Sequence, residues 1–158
     1  MDIVFENLKR LPFATILAAR NYGMDNISVP ATAKLGSKLC MAILRGDQSE
    51  MIQLLDAGAP VDHQEDPDGW TPLIYSIYYD NTRARNELFK RGANPDLGDY
   101  ARRTPAMFAA IRGDIELLKE LIPRGVDLKQ PDTRGKTARD FAAEYHQHKC
   151  VQFLEQHE

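Results

Sequence analysis

Apolar side chains recur along this chain in pairs of short runs, and turn residues separate one run from the next. One pair lies within residues 73–77 and 88–89, and a second lies within 109–111 and 115–122. Within the longer runs the apolar positions are spaced three and four residues apart, which predicts short helices that each bury one face. The chain is therefore expected to fold as successive pairs of helices.

The helix pairs repeat at a fixed interval. A threonine followed by proline or alanine stands at positions 71, 104 and 137, which is every 33 residues, and a weaker copy begins at Ser37. A glycine closes the apolar run of three copies, at Gly58, Gly92 and Gly125. Self-similarity at about this period is typical of a stacked array of repeats.

Local chemistry predicts where the helices of one unit begin and end. Thr71 suits the N-cap and Pro72 suits the first helical position, where the missing N–H costs nothing. A second helix is expected over residues 82–90, with Gly92 in the left-handed conformation that ends many helices. Pro123 lies in the last turn of its helix, so that helix is expected to kink or end early.

These motifs resemble the ankyrin repeat. The segments that carry the resemblance are Thr71-Pro72-Leu73-Ile74-Tyr75-Ser76, Thr104-Pro105-Ala106-Met107-Phe108-Ala109-Ala110, Leu54-Leu55-Asp56-Ala57-Gly58-Ala59 and Leu88-Phe89-Lys90-Arg91-Gly92-Ala93-Asn94. The resemblance implies an all-α ankyrin-repeat solenoid, in which stacked helix–turn–helix units are joined by β-turn or hairpin-like fingers. No copy keeps the motif histidine, whose place is taken by Cys40, Ile74, Met107 and Asp140.

The period divides the chain into five segments. Repeats are predicted at residues 37–67, 68–98 and 99–131, followed by a truncated C-terminal capping repeat at 132–158. Residues 1–36 do not follow the period, so we interpret them as a helical N-terminal cap or a degenerate repeat, with a loop over 26–36. A capping unit is needed because no neighbour covers its outer face.

The resemblance also implies where a protein partner binds, because ankyrin repeats grip partners with their turn tips and the exposed side of each first helix. The residues at those positions are Trp70, Tyr78, Tyr79, Tyr100, Arg103, Arg112, Arg45 and Leu44. Trp, Tyr and Arg are enriched among residues that dominate binding energies. The alternative is structural: Trp70 could lie on the next tip, Tyr78 could fill a gap between helices, and the arginines could simply be solvated.

Composition and charge narrow the function classes. A net charge of −3 with 43% hydrophobic residues argues against disorder and against non-specific nucleic-acid binding. No apolar run reaches membrane-spanning length, the first residues lack a signal-peptide pattern, and two cysteines make no disulfide framework, so a cytoplasmic protein is expected. Residues 37–67 hold two basic and six acidic residues, whereas 99–131 hold six basic and five acidic, which suits either a solvated surface or a partner of matching charge.

Three function classes follow. The leading hypothesis is a noncatalytic protein-interaction module, monomeric alone and without cofactor, acting as an adaptor, an inhibitor or immunity-type protein, or a secreted effector. The second is a metal-dependent enzyme that uses His146, His148 and Cys150, although zinc usually needs four ligands and no second pair is near in the sequence. The third is a chain that only self-assembles.

Overall fold

The computed structural model describes residues 31–157 of the chain. Within them lie eight α-helices and one short 3-10 turn at Ile122–Arg124. The helices are α1 (Ala31–Arg45), α2 (Gln48–Asp56), α3 (Pro72–Tyr78), α4 (Thr82–Lys90), α5 (Pro105–Arg112), α6 (Ile115–Leu121), α7 (Ala138–Glu144) and α8 (His148–His157). No strand occurs in this part of the chain, which confirms the all-α solenoid.

The helices form two layers. The first helices of successive units, α1, α3, α5 and α7, pack side by side. The second helices form the other layer, in which α2 contacts α4 and α6 contacts α8. The core lies between the layers and consists mainly of aliphatic side chains that are almost fully buried, namely Leu39, Ile43, Met51, Leu73, Ile74, Ile77, Leu88, Met107, Leu117, Leu118, Leu121 and Leu154. Each unit therefore covers the apolar flank of the next one.

The predicted caps start the first helices. The hydroxyls of Thr71, Thr104 and Thr137 each accept a hydrogen bond from the backbone N–H three residues on. In two units the residue at the motif histidine position returns a bond. The Met107 sulfur accepts from the backbone N–H of Thr104 at 3.4 Å, and the Asp140 carboxylate accepts from that of Thr137 at 2.8 Å. These reciprocal bonds satisfy amides that the helix itself leaves unpaired.

The turn between the two helices of each unit passes through the left-handed region. Gly46 and Gly113 have φ of 70° and 69° there, whereas Asp80 and His146 occupy the same place with φ of 56° and 58°. The prediction of helices ending near Tyr79 and spanning Thr82–Lys90 is confirmed. The early end of the helix before Pro123 is confirmed too, since α6 stops at Leu121 and continues as the 3-10 turn.

Fingers, defined here as residues 65–70, 99–103 and 132–136, connect the units. In fingers 2 and 3 the backbone N–H of the first residue donates to the carbonyl of the last, from Asp99 to Arg103 and from Asp132 to Lys136. Finger 1 makes the same closure between Glu65 and Trp70 with one extra residue. Backbone bonds link neighbouring fingers, from the Tyr100 amide to the Asp68 carbonyl and from the Thr133 amide to the Ala101 carbonyl, both at 3.0 Å.

The expectation at the start of the array is partly wrong. Residues 31–36 belong to α1 rather than to a loop, and Ser37 lies inside that helix instead of beginning it. Gly36 is buried in this helix because the His63 ring packs against it, and an added Cβ would come within 2.3 Å of the ring. The cap or degenerate repeat predicted for residues 1–36 otherwise lies outside the described residues, as does Glu158.

The left-handed turn position predicts a stabilising substitution. Because a Cβ in that conformation costs about 1–2 kcal/mol, His146→Gly should raise the free energy of unfolding by about 1 kcal/mol, part of the gain being lost to the greater freedom of glycine in the unfolded chain. The matched control, Gly113→Ala, should lower it, since the new Cβ would meet the Gln147 side chain at 2.3 Å. Urea unfolding of both variants measures this, and a destabilised His146→Gly variant would contradict the strain.

A buried carboxylate predicts the acid sensitivity of finger 3. Burial alone would raise the pKa of Asp132, but the backbone N–H groups of Lys136 and Arg134 and the Arg134 guanidinium outweigh it and hold the pKa below its usual value. Its ionised form therefore stabilises the fold above the unfolded pKa of about 3.9, and this contribution is lost as the pH falls through the folded pKa.

Asp132→Asn should therefore lower the free energy of unfolding at pH 7 by about 1–3 kcal/mol and flatten its decline below about pH 5. Urea unfolding between pH 7 and pH 3 measures both effects. Glu155→Gln, an exposed charge change on α8, is the control and should leave the wild-type pH profile in place. If the free energy of unfolding of Asp132→Asn still falls steeply at acid pH, other carboxylates control the acid sensitivity.

Candidate partner-binding groove

An aromatic cluster covers the exposed side of α3. Tyr75, Tyr78 and Tyr79 are spaced three and four residues apart and so share one face of the helix. The Trp70 ring, at the end of finger 1, lies with its centroid 4.8 Å from that of Tyr78 and 5.4 Å from those of Tyr75 and Phe108. Trp70 is half-buried by these contacts, and its role in partner binding stays a prediction.

A groove of about 570 Å³ opens beside this cluster. Its walls come from three successive units and consist of Trp70, Tyr78, Arg103, Phe108, Ile111, Arg112 and Tyr145. Tyr78 and Tyr145 are 48% and 51% exposed, so large apolar area faces solvent here. This aromatic groove, as we call it, joins four of the eight residues predicted to bind a partner.

Both arginines of the groove are held in place. The Nε and Nη2 atoms of Arg103 lie 2.7 and 2.6 Å from the buried Asp99 carboxylate, and its guanidinium is 5.3 Å from the Phe108 ring centroid. Arg112 donates to the Tyr78 carbonyl at 3.1 Å and lies 3.2 Å from the Asp80 carboxylate. Fixed guanidinium groups can bind carboxylates with little loss of side-chain entropy.

A second groove lies on the N-terminal side of Tyr79. It has a volume of about 500 Å³ and is lined by residues of the first two units, including Leu44, Arg45, Tyr79, Asp80 and Arg83. Arg45 is exposed and pairs with Glu50. The structure thus places Leu44, Arg45 and Tyr79 together, next to the aromatic groove.

Tyr100 lies apart from both grooves. Its side chain is 45% exposed, yet its ring packs over Gly69, where an added Cβ would come within 2.4 Å of it. Its hydroxyl donates to the Asp66 carboxylate at 3.1 Å. Tyr100 therefore packs finger 2 against finger 1.

Phe108, which sequence reasoning did not select, forms part of the groove wall. It is buried to 3% exposure, and its contact with Trp70 comes from the stacking of α3 against α5. A signal for it exists in the sequence, since positions 75, 108 and 141 are aromatic in every one of these repeats. Tyr145 repeats the position of Tyr79 and Arg112 in the same way.

The side chains of His146, His148 and Cys150 have different surroundings in the structure. The two imidazole rings are exposed with centroids 6.4 Å apart, while Cys150 is buried, which raises the pKa of its thiol to about 11. A thiol of that pKa is protonated at neutral pH and is a poor nucleophile. Residues 31–157 hold no group of three or more side chains placed to bind a metal ion.

Comparison with known proteins gives a consistent set of relatives. The family described as ankyrin repeats in three copies matches residues 82–158. Inversin of Gallus gallus is 30% identical over 125 residues, or 79% of this chain and 11% of that protein. Ankyrin repeat and SOCS box protein 11 of Homo sapiens is 33% identical over 109 residues, covering 69% of this chain and 33% of that protein.

A third relative, 2-5A-dependent ribonuclease of Homo sapiens, is 36% identical over 79 residues, or 50% of this chain and 11% of that enzyme. The chain thus spans about a tenth of the length of the inversins and a third of the SOCS box protein. None of the helices in the described range is long and apolar enough to cross a membrane.

The Tyr100 contacts predict a structural effect for an exposed side chain. Tyr100→Ala should lower the free energy of unfolding by about 1–2 kcal/mol, because finger 1 loses both the ring over Gly69 and the bond to Asp66. Tyr145, the C-cap residue of α7, has a ring of similar exposure, and Tyr145→Ala should lower the free energy of unfolding by less. Guanidinium unfolding measures the free energy of unfolding of the two variants. An equal loss in both would mean that the contacts of Tyr100 with finger 1 add no stability.

Proposed function

Since this chain is an ankyrin-repeat protein, and such repeats are generally protein-interaction modules, we propose that it is a noncatalytic module that holds a protein partner in its aromatic groove. The observation that supports this most is the convergence of Trp70, Tyr78, Arg103 and Arg112 from two units on one open groove. These residue types dominate binding energies when they are desolvated by a partner.

The physical basis of binding is preorganisation. The Trp70 ring is fixed by three aromatic neighbours, and each arginine is fixed by a carboxylate, so a partner meets a surface that already has its bound shape. Little side-chain entropy is then lost on association. Tyr78 and Tyr79 supply exposed rings that a partner can cover.

The role within this class is open among an adaptor, an inhibitor or immunity-type protein, and a secreted effector, all of which would use the same surface. We further propose that the chain is monomeric alone and works in the cytoplasm, which suits its free, buried Cys40 and Cys150. The high pKa of the Cys150 thiol supports a noncatalytic role over the enzymatic alternative.

The groove predicts two binding-defective variants. Crosslinking in cell lysate followed by mass spectrometry identifies the partner, and calorimetry then gives its affinity for each variant. Tyr78→Ala and Arg112→Ala should each weaken binding by about 2 kcal/mol, or roughly 30-fold, because both side chains lie in the groove wall. Circular dichroism checks that both variants remain folded.

Lys90→Ala is the matched control, since Lys90 is an exposed residue at the end of α4 in the other helix layer. It should bind the partner as the wild type does. Affinity that is unchanged in both groove variants, or reduced equally in the control, would reject the groove as the binding site.

A further inference from the structure

We propose that a separate pocket, between finger 1 and α3, binds a cationic side chain of the partner. The pocket has a volume of about 250 Å³, below the roughly 300–1,000 Å³ of sites for whole small molecules, so it suits a single side-chain headgroup. The inference rests on the proposed function, because it assigns the cation to the protein that the aromatic groove holds.

The lining of this pocket has an unusual composition. It consists of three carboxylates, three aromatic rings and one proline, and it includes no lysine, arginine or histidine: Glu65, Asp66, Pro67, Asp68, Trp70, Tyr75 and Tyr79. Anionic groups attract a cation over distance, and aromatic faces bind it on contact. We name this site the acidic pocket.

The aromatic lining forms two walls. The rings of Tyr75 and Tyr79 are nearly parallel, at 12° with centroids 6.2 Å apart, and the Trp70 ring meets that of Tyr75 at 71°. Tyr79 is 48% exposed, so a ligand can reach this corner from solvent. Burial and nearby carboxylates raise the pKa of Tyr75 to about 12, so its phenol is neutral at physiological pH.

The carboxylates differ in how far they are already engaged. Glu65 lies 2.9 Å from the His63 ring and Asp66 accepts from the Tyr100 hydroxyl, so these two are positioned by the fold. Asp68 is exposed at the turn, and no hydrogen bond or ion pair with another of residues 31–157 engages its carboxylate. Asp68 is therefore the carboxylate most available to a ligand.

Trp70 contributes to both sites, since it lines the acidic pocket and the aromatic groove. The acidic pocket is lined by three carboxylates, whereas the aromatic groove is lined by Arg103 and Arg112. A partner segment with a basic residue close to an acidic one would match this charge order and could bind in only one direction.

The test uses the fact that Trp70 is the chain's sole tryptophan. The full chain is titrated with the N-acetyl methylamides of lysine, trimethyllysine and arginine, and with a neutral isostere that carries a tert-butyl group in place of trimethylammonium. Indole fluorescence reports occupancy. At least one cation should give a saturable change that the neutral isostere does not, and the tightest of the three names the chemical source.

Two variants test the assignment. Asp68→Asn should weaken cation binding at least about fivefold, and Tyr79→Leu, which keeps an apolar side chain but removes the ring, should weaken it by a similar factor. Glu116→Gln makes the same charge change on the exposed face of α6 and should bind the cation as the wild type does. If the neutral isostere changes the fluorescence as much as the cations do, or if Asp68→Asn binds the cation with unchanged affinity, the proposed cation site is rejected.

The two proposals can fail separately. If Tyr78→Ala and Arg112→Ala weaken partner binding while no amino-acid derivative binds, the acidic pocket is rejected and the groove stands. If a cation binds in the Asp68-dependent way while those groove variants bind the partner normally, the pocket stands and the proposed function of the groove is rejected.

Discussion

The fold depends on the burial of apolar side chains between neighbouring repeat units. Its helices are short: α3 has seven residues, five of them buried, and α6 and α7 also have seven. Helices of this length are not stable alone in water. Their stability comes from apolar faces covered by the next unit, as where α3 packs against α1 on one side and α5 on the other. The grooves exist because this packing fixes the exposed sides of the first helices in a row.

Helix starts and ends could be predicted from the sequence where the interactions that set them join residues only a few positions apart. Thr71, Thr104 and Thr137 cap helices because their hydroxyls reach an amide three residues away, and α4 begins and ends where its own residues indicate. The start of α1 could not be predicted, because a serine is tolerated inside a helix and Gly36 is explained only by His63, which is far away in the chain.

The site was predictable in its composition more than in its arrangement. The resemblance to the ankyrin repeat implied that Tyr78 and Tyr79 are exposed, and both rings are half exposed in the structure. The period could not show that Tyr100 packs on Gly69 or that Phe108 contacts Trp70, since both contacts join different units. It could not show either how the Trp70 ring is oriented against Tyr75 and Tyr78 of its own unit. Which of the predicted residues a partner contacts stays a prediction.

The extra residue of finger 1 has a consequence for how such a protein can change. The left-handed glycines at positions 58, 92 and 125 are 34 and then 33 residues apart, and the added residue lies within finger 1 rather than in a helix. The helices on both sides keep their stacking, so the tip absorbs the change in length. Insertions at the tips can therefore alter the exposed surface during evolution while the scaffold is inherited intact.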